Sequence, residues 1–390
     1  MPKGAPGLAL FAVCILAAAF GWLVFIALFH GTVGQDWMVF DTAARAYLHG
    51  NGALLLDGPR LTQVLNDTHP SLSQPLKFRP WVYPPYTLLL ALPFGLVPWV
   101  WSYGGFQVLS FAGMATALRP WAAPLPRFCI VLAGVTLCPA SAYTLGAGQN
   151  SFLSAALLLG GVWLLGARPA VAGVLLGLLA FKPQLGLLIP VALVAAGAWR
   201  AFAGATATVL VLLVVSLAVP GIDIWRGFLH LYLAGDQAPR QWVELYGQSV
   251  FTCLRLAGAS ESLANAGQGV AVLIGAGAVW HAFRQPCSPL RRLLVLLTAI
   301  SFSAPHFGDY DAVLLGIAAM LMLTAPERPN ALAAVLACLA WCSTAINPPY
   351  LFYKTVPALF PLSELTPLVV LALLACLLAT PAMQNAGAQA

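Results

Sequence analysis

Charge is what this chain has least of. Charged residues occupy 8% of its 390 positions, whereas a soluble globular domain carries about 25%. With 61% hydrophobic residues and a mean hydropathy of +0.87, the chain requires lipid as its solvent. A helix needs about 20 apolar residues to span the hydrocarbon, and bare backbone cannot stay unpaired there. The apolar–polar alternation of β-barrel strands is missing, which leaves a bundle of helices. Also missing is the clustered basic face that nucleic acid would need, so no nucleic-acid partner is expected. The eight cysteines sit mostly within or beside apolar runs, where thiols behave as small hydrophobes, so neither a disulfide framework nor a metal site is predicted. No internal repeat, low-complexity tract or separate soluble domain is evident, and residues 1–390 are read as one transmembrane domain.

The first apolar run, 8–29, is long enough to cross. Because apolar runs continue to the end of the sequence, it is expected to be a retained signal anchor and not a cleaved signal peptide. Further candidate spans are 85–118, 128–145, 151–165, 170–181, 185–199, 205–219, 267–283, 293–303, 312–324, 331–346 and 367–380. The expected fold is all-α, a polytopic bundle of about 11–13 transmembrane helices. Connections holding Arg119, Arg127, Arg168, Arg200, Arg284, Arg292 and Arg328 are short and basic, and the positive-inside rule makes them cytoplasmic. The opposite connections hold nearly all of the 12 acidic residues: Asp36, Asp41, Asp57 and Asp67, then Asp223, Asp236 and Glu244, then Asp309, Asp311 and Glu364. This segregation places the amino terminus in the cytoplasm and residues 30–80 in a long first extracytoplasmic loop of a plasma (bacterial inner) membrane protein. The 85–118 stretch is too long for one crossing and too short for a comfortable pair. A re-entrant or interfacial helix near 93–98 would reconcile it with the charge pattern. The net charge of +6 needs no partner beyond anionic lipid headgroups.

Polar residues near hydrocarbon are retained at a cost unless something uses or pairs them, and four places stand out. Gly34-Gln35-Asp36-Trp37 opens a segment in which Trp37, Phe40, Ala44, Tyr47 and Leu48 share one helical face. This predicts an amphipathic helix at the interface, stopped by Gly50, with Asp41 and Arg45 pairing one turn apart. Asp36 has no such local partner; it either caps this helix or serves as a general base. In the run Lys77 to Pro85, Pro84 and Pro85 start the next helix, Lys77 and Arg79 anchor the loop or meet a lipid phosphate, and Tyr83 is a candidate substrate contact. The turn Gly148-Gln149-Asn150 leads into a helical hairpin that returns at Phe181-Lys182-Pro183. Gln149 and Asn150 either cap a helix or touch substrate, and Lys182 either snorkels or meets an anionic headgroup. The fourth place is Pro305-His306-Phe307-Gly308-Asp309-Tyr310-Asp311, where the aspartates are read first as helix caps. His306 either donates to a phosphate oxygen or is a satisfied interfacial residue.

In order and content these places resemble glycosyltransferase family 87, the GT-C-fold enzymes that include polyprenyl-phosphate-mannose-dependent mannosyltransferases. The likeness rests on Gly34 to Gly50, the Phe78 to Pro85 run ending in Tyr83-Pro84-Pro85, Gly148-Gln149-Asn150, the 173–183 run ending in Lys182-Pro183, and Pro305-His306 with Asp309. It extends over about residues 8–323. The resemblance implies a GT-C fold and an extracytoplasmic active site that takes its sugar, mannose on the family's weight, from a polyprenyl-phosphate donor. It implies that Asp36 deprotonates an acceptor hydroxyl on a lipid or glycan, with inversion at the anomeric carbon. His306, Lys182 and Arg79 would attend the donor phosphate, and Gln149, Asn150, Tyr83 and Asp309 would line the substrate site.

The residues suit this chemistry. A glycosidase needs a second carboxyl to protonate a poor leaving group. A phosphate leaves without a proton, so one base suffices where cations meet the departing charge, and no metal or organic cofactor is required. The rival class is a transporter or flippase, in which Lys182 and Asp36 would line a translocation path. Such proteins usually show paired halves with matching broken helices, and no duplication is visible here.

Overall fold

The computed structural model describes residues 16, 19, 22, 33–69, 72, 74–76, 78–233, 247–346 and 365–379. The expected first span, apart from three positions, lies outside the described residues, as do Cys14, Lys77, Asp236, Glu244 and Glu364. Among the described residues the chain is helical without strands, as its apolar runs require. Trp199–Ala218 and Glu261–Arg284 are long and apolar enough to cross a membrane. Leu125–Leu137 and Pro139–Ala147, bent by 59° at Cys138, would be a third if they form one broken span. The remaining runs from 151 onward fold as shorter apolar helices, among them Ser151–Leu164, Pro169–Leu178, Pro289–Ser303, Val313–Leu323, Ala331–Trp341 and Thr366–Ala379.

These helices share one apolar core, in which Phe152, Leu158, Leu296, Leu315 and Ala319 are wholly enclosed. Without a hydrophobic force between helices in lipid, close packing must supply the cohesion, and small residues permit it. Gly173 and Gly177 lie directly against the backbone of Ala201 and Ala205, and a Cβ on Gly204 would come 2.7 Å from the Ala170 carbonyl. That packing gives the 173–183 motif its glycines a structural duty.

The 85–118 stretch divides into Thr87–Gly95 and Trp99–Leu118, with the break at residues 96–98. The break falls at Pro98, which opens the longer helix in an extended conformation. The shorter helix packs so tightly on Gln35–Leu48 that a Cβ at Gly95 would come 2.8 Å from that of Ala44.

Residues 33–106 build a second core of their own. Trp37 stacks on Phe106 with centroids 3.8 Å apart and meets Phe40 and Phe94; Phe40 in turn touches Trp81 and Tyr83. The described parts of the loop pack around this core. Asp57 caps the helix Gly58–Thr68 by accepting the Arg60 N–H, and the Asn66 amide clasps both backbone groups of Leu76 at 2.9 and 3.0 Å. The expectation of a half-exposed amphipathic helix needs correction. Residues Trp37–Ala44 are buried on every face, and Leu48 of the expected apolar face is exposed. The loop and the Thr87–Gly95 helix cover the side that the pattern had assigned to solvent. The stop at Gly50 holds, with a left-handed φ of +79°.

Asp41, 2% exposed, ties this second core together. Arg45 pairs with it at 2.8 Å, as the spacing predicted, and the His69 Nε2 lies 3.5 Å away. Arg45 also donates to the Val97 carbonyl at the break between the two helices. Burial opposes charge on Asp41, but hydrogen bonds from His69, Arg45 and Ser102 outweigh it and hold the carboxyl below its ordinary value of 3.8. A depressed folded value means that the stabilisation is complete above the ordinary carboxylate range and is lost as pH falls through the folded value. Asp41→Asn should therefore lower stability at neutral pH by about 1–3 kcal/mol. Thermal unfolding in detergent across pH should show the gap from the parent protein closing on acidification; a gap independent of pH would contradict this role.

Candidate active site

The polar site forms where the first turn of Gln35–Leu48 meets the turn between Pro139–Ala147 and Ser151–Leu164. Two glycines allow the meeting. Gly34 and Gly148 both adopt left-handed backbone, φ +85° and +77°, and the Gly34 N–H donates to the Gly146 carbonyl at 2.7 Å. A Cβ on Gly148 would lie 2.8 Å from the Trp37 Cβ and 2.9 Å from the Gly34 Cα, so any larger residue would push the two turns apart.

That approach delivers Gln149 to Asp36. The Gln149 Nε2 donates to Asp36 Oδ2 at 2.7 Å, its backbone carbonyl accepts from Gln107 at 3.0 Å, and the Tyr83 hydroxyl reaches its Oε1 at 3.5 Å. Asp36 does not cap its helix; no side chain does. Its other oxygen, Oδ1, stands 3.7 Å from Arg79 Nε, and the carboxyl side chain keeps 28% of its surface open. Arg79 is braced by its own backbone N–H on the Thr62 hydroxyl at 2.8 Å and by a bond to Gln35 Oε1 at 3.2 Å. A carboxylate so held is oriented by an amide, partly neutralised by a guanidinium and still accessible.

Next to it lies a buried ion pair that spacing could not reveal. Lys182 Nζ is 2.6 Å from Asp311 Oδ1 and 3.1 Å from Asn150 Oδ1, and it sits 4.6 Å from the centroid of the Tyr310 ring. Both partners are enclosed, Lys182 at 1% and Asp311 at 0% exposure. The Ser151 hydroxyl donates to the same Asp311 oxygen at 2.8 Å, while Oδ2 accepts the Gly308 N–H at 3.3 Å. Asp311 therefore does brace the start of its own turn, as the capping reading held, and in addition carries the lysine. Lys182 does not snorkel: its ammonium is turned inward and already has two oxygen partners. Asn150 does not cap with its side chain either; its carbonyl oxygen serves the lysine.

Asp309 faces a different neighbour. Gln248 Nε2 donates to its Oδ1 at 2.9 Å, and its backbone carbonyl accepts from Thr344 at 2.9 Å. His306 lies on the same loop, partly enclosed, and its Nδ1 has no partner. Sequence reasoning passed over Gln248, because Ser249 beside it is a plain N-cap for Val250–Leu256, accepting the Thr252 N–H at 3.1 Å. Among the described residues no group of three or more His, Cys, Asp or Glu is arranged to hold a metal ion.

The fold is thus that of a helical membrane protein, and its polar site is built around an accessible, oriented carboxylate. The chain belongs to glycosyltransferase family 87, whose model matches residues 81–305, more than half of its length. No curated protein and no solved structure matches it. Membership makes the chain a membrane glycosyltransferase and sets the transporter reading aside. Tyr83, Gln149, Asn150, Lys182 and Gln248 fall within the matched segment, whereas Asp36, Arg79, His306, Asp309 and Asp311 fall outside it.

Removing one partner of a buried ion pair leaves an uncompensated charge, at a cost of about 3–5 kcal/mol. Lys182→Met and Asp311→Leu should each destabilise the solubilised protein by about that amount, and the double variant by clearly less than their sum. Additive losses in thermal unfolding would mean that the two groups do not depend on each other.

Proposed function

We propose that this glycosyltransferase moves a sugar, mannose in the first instance, from a polyprenyl-phosphate donor to a hydroxyl of a lipid or glycan acceptor, with inversion. Supporting this is one observation above the others: a single carboxylate, Asp36, held at 2.7 Å by Gln149 and faced by Arg79 at 3.7 Å while remaining open on one side. In this reading the acceptor hydroxyl gives its proton to Asp36 as its oxygen attacks the anomeric carbon. The new carbon–oxygen bond forms on the face opposite the phosphate, whose bond to carbon breaks with the electron pair passing to the phosphate oxygen. Asp36 afterwards releases the proton to water. A polyprenyl phosphate is a competent leaving group at neutral pH, so one base is enough.

Positive charge is needed where the phosphate departs. Arg79 and His306 are suited to direct contact, Arg79 through a guanidinium on a side chain that is 25% exposed and His306 through a ring nitrogen lacking a partner. Lys182 is the harder case, because Asp311 and Asn150 already take its protons. We assign it to holding Asn150 and the 306–311 loop in place and to adding to the field from behind. Tyr83, Gln149, Asn150 and Asp309 line the sugar and acceptor side. Apolar grooves between helices take the polyprenyl tail. The acid-rich connections, and with them Asp36, belong to the extracytoplasmic face of the plasma membrane in this reading, opposite the basic ones.

The test is transfer by the purified protein from labelled polyprenyl-phosphate mannose, with polyprenyl-phosphate arabinose and glucose alongside, to glycolipid and glycan acceptors. Asp36→Asn should lower the rate about 10²–10⁴-fold with donor binding retained, and the product should carry the inverted anomeric configuration. Full activity in that variant, or a retained configuration, would refute the mechanism.

A further inference from the structure

Beside the 306–311 loop two buried polar atoms, Gln248 Oε1 and His306 Nδ1, have no hydrogen-bond partner, and a third, Asn150 Nδ2, has none of good geometry although the Tyr83 hydroxyl adjoins its side chain. Buried polar groups are almost always satisfied, and an orphan carries the full cost of its lost water. Amide orientation is ordinarily ambiguous, but here charged partners fix it. Gln248 must turn its Nε2 to the Asp309 carboxylate, so its oxygen is the atom left over. Asn150 must turn its Oδ1 to the Lys182 ammonium, so its nitrogen is left over. Gln248 is 2% and Asn150 1% exposed. The Thr298 and Thr366 hydroxyls, also without a partner, are single rotors on helices, which can turn toward their own backbone, whereas Gln107 Oε1 and Trp81 Nε1 are fixed groups that do not adjoin this loop.

All three atoms adjoin one loop. The Gln248 backbone N–H donates to the Phe307 carbonyl at 2.7 Å, His306 precedes Phe307, and Asn150 reaches Asp311 through Lys182. The set therefore offers an obligate acceptor in Gln248 Oε1, an obligate donor in Asn150 Nδ2, and in His306 Nδ1 a group that can be either. A phosphate could satisfy a donor but never an amide oxygen, since it brings no proton. A hydroxyl satisfies both kinds. Resting on the function proposed above, we infer that Gln248 is a specificity-determining residue that accepts a hydrogen bond from a hydroxyl of the donor sugar, with Asn150 giving one to a sugar oxygen nearby. Asp309 positions Gln248 by holding its nitrogen. The chain would thereby read the hydroxyl pattern of the sugar with two amides fixed by two charges.

The experiment compares the full-length protein with its Gln248→Met variant, each given polyprenyl-phosphate mannose and its series of monodeoxy analogues. One deoxy donor should react about 10- to 100-fold more slowly than the parent sugar with the unaltered protein. Gln248→Met should slow the parent sugar by a similar factor and cause no further loss with that one analogue. A merely structural role for Gln248 would slow every donor by the same factor, and that outcome overturns the inference while leaving the transferase reading intact. Should the variant fail to accumulate, the unaltered protein still decides: deoxy donors that all react within a few-fold of the parent overturn it. No transfer from any polyprenyl-phosphate sugar would sink both readings.

Discussion

An ammonium and a carboxylate enclosed together at 2.6 Å hold the polar end of this bundle. Neither Lys182 nor Asp311 could be buried alone, since an uncompensated charge in a low-dielectric interior costs several kcal/mol or more. Their union draws in Ser151 and Asn150 from one turn and Gly308 and the Tyr310 ring from the 306–311 loop, while Lys182 itself stands on a third connection, at 181–183. Three separate connections are thereby fixed relative to one another, with no disulfide or strand among the described residues. Gln149, one residue from Asn150, inherits that rigidity and passes it to Asp36 through its amide.

The first loop contributes differently. It is a small packed body on the side of the bundle, built on the Trp37–Phe106 stack and the Asp41 centre. The Gln35–Leu48 helix belongs to this body by its apolar side chains and reaches the bundle through its first turn. Asp36 thus stands at the seam between two cores, and two independent sets of contacts determine its position.

Much of this was legible from composition and spacing. Scarce charge and long apolar runs implied the helical membrane fold, Asp41 and Arg45 declared their pairing by their separation, and the four polar clusters converge closely enough to share a site. What escaped was contact between distant segments. Lys182 and Asp311 are 129 residues apart, and no period or motif links them. The helix after Gly34 reads as half-exposed because its pattern includes Asp41 and Arg45, and only the His69 and Val97 contacts show how polar groups were accommodated inside. Gln248 was masked by the ordinary cap that follows it.

The crossing of Gly34 and Gly148 has a bearing on how such an enzyme could diversify. Because the approach is made by main chain, the described side chains of the loop between residues 51 and 76 take no part in setting it. Substitutions in that segment leave untouched the main-chain contact that brings Gln149 to Asp36, whereas Thr62 reaches the same carboxylate by another route, through the Arg79 that it braces. Gly34 and Gly148 themselves are closed to variation, since a β-carbon at either would meet a neighbour in a left-handed backbone.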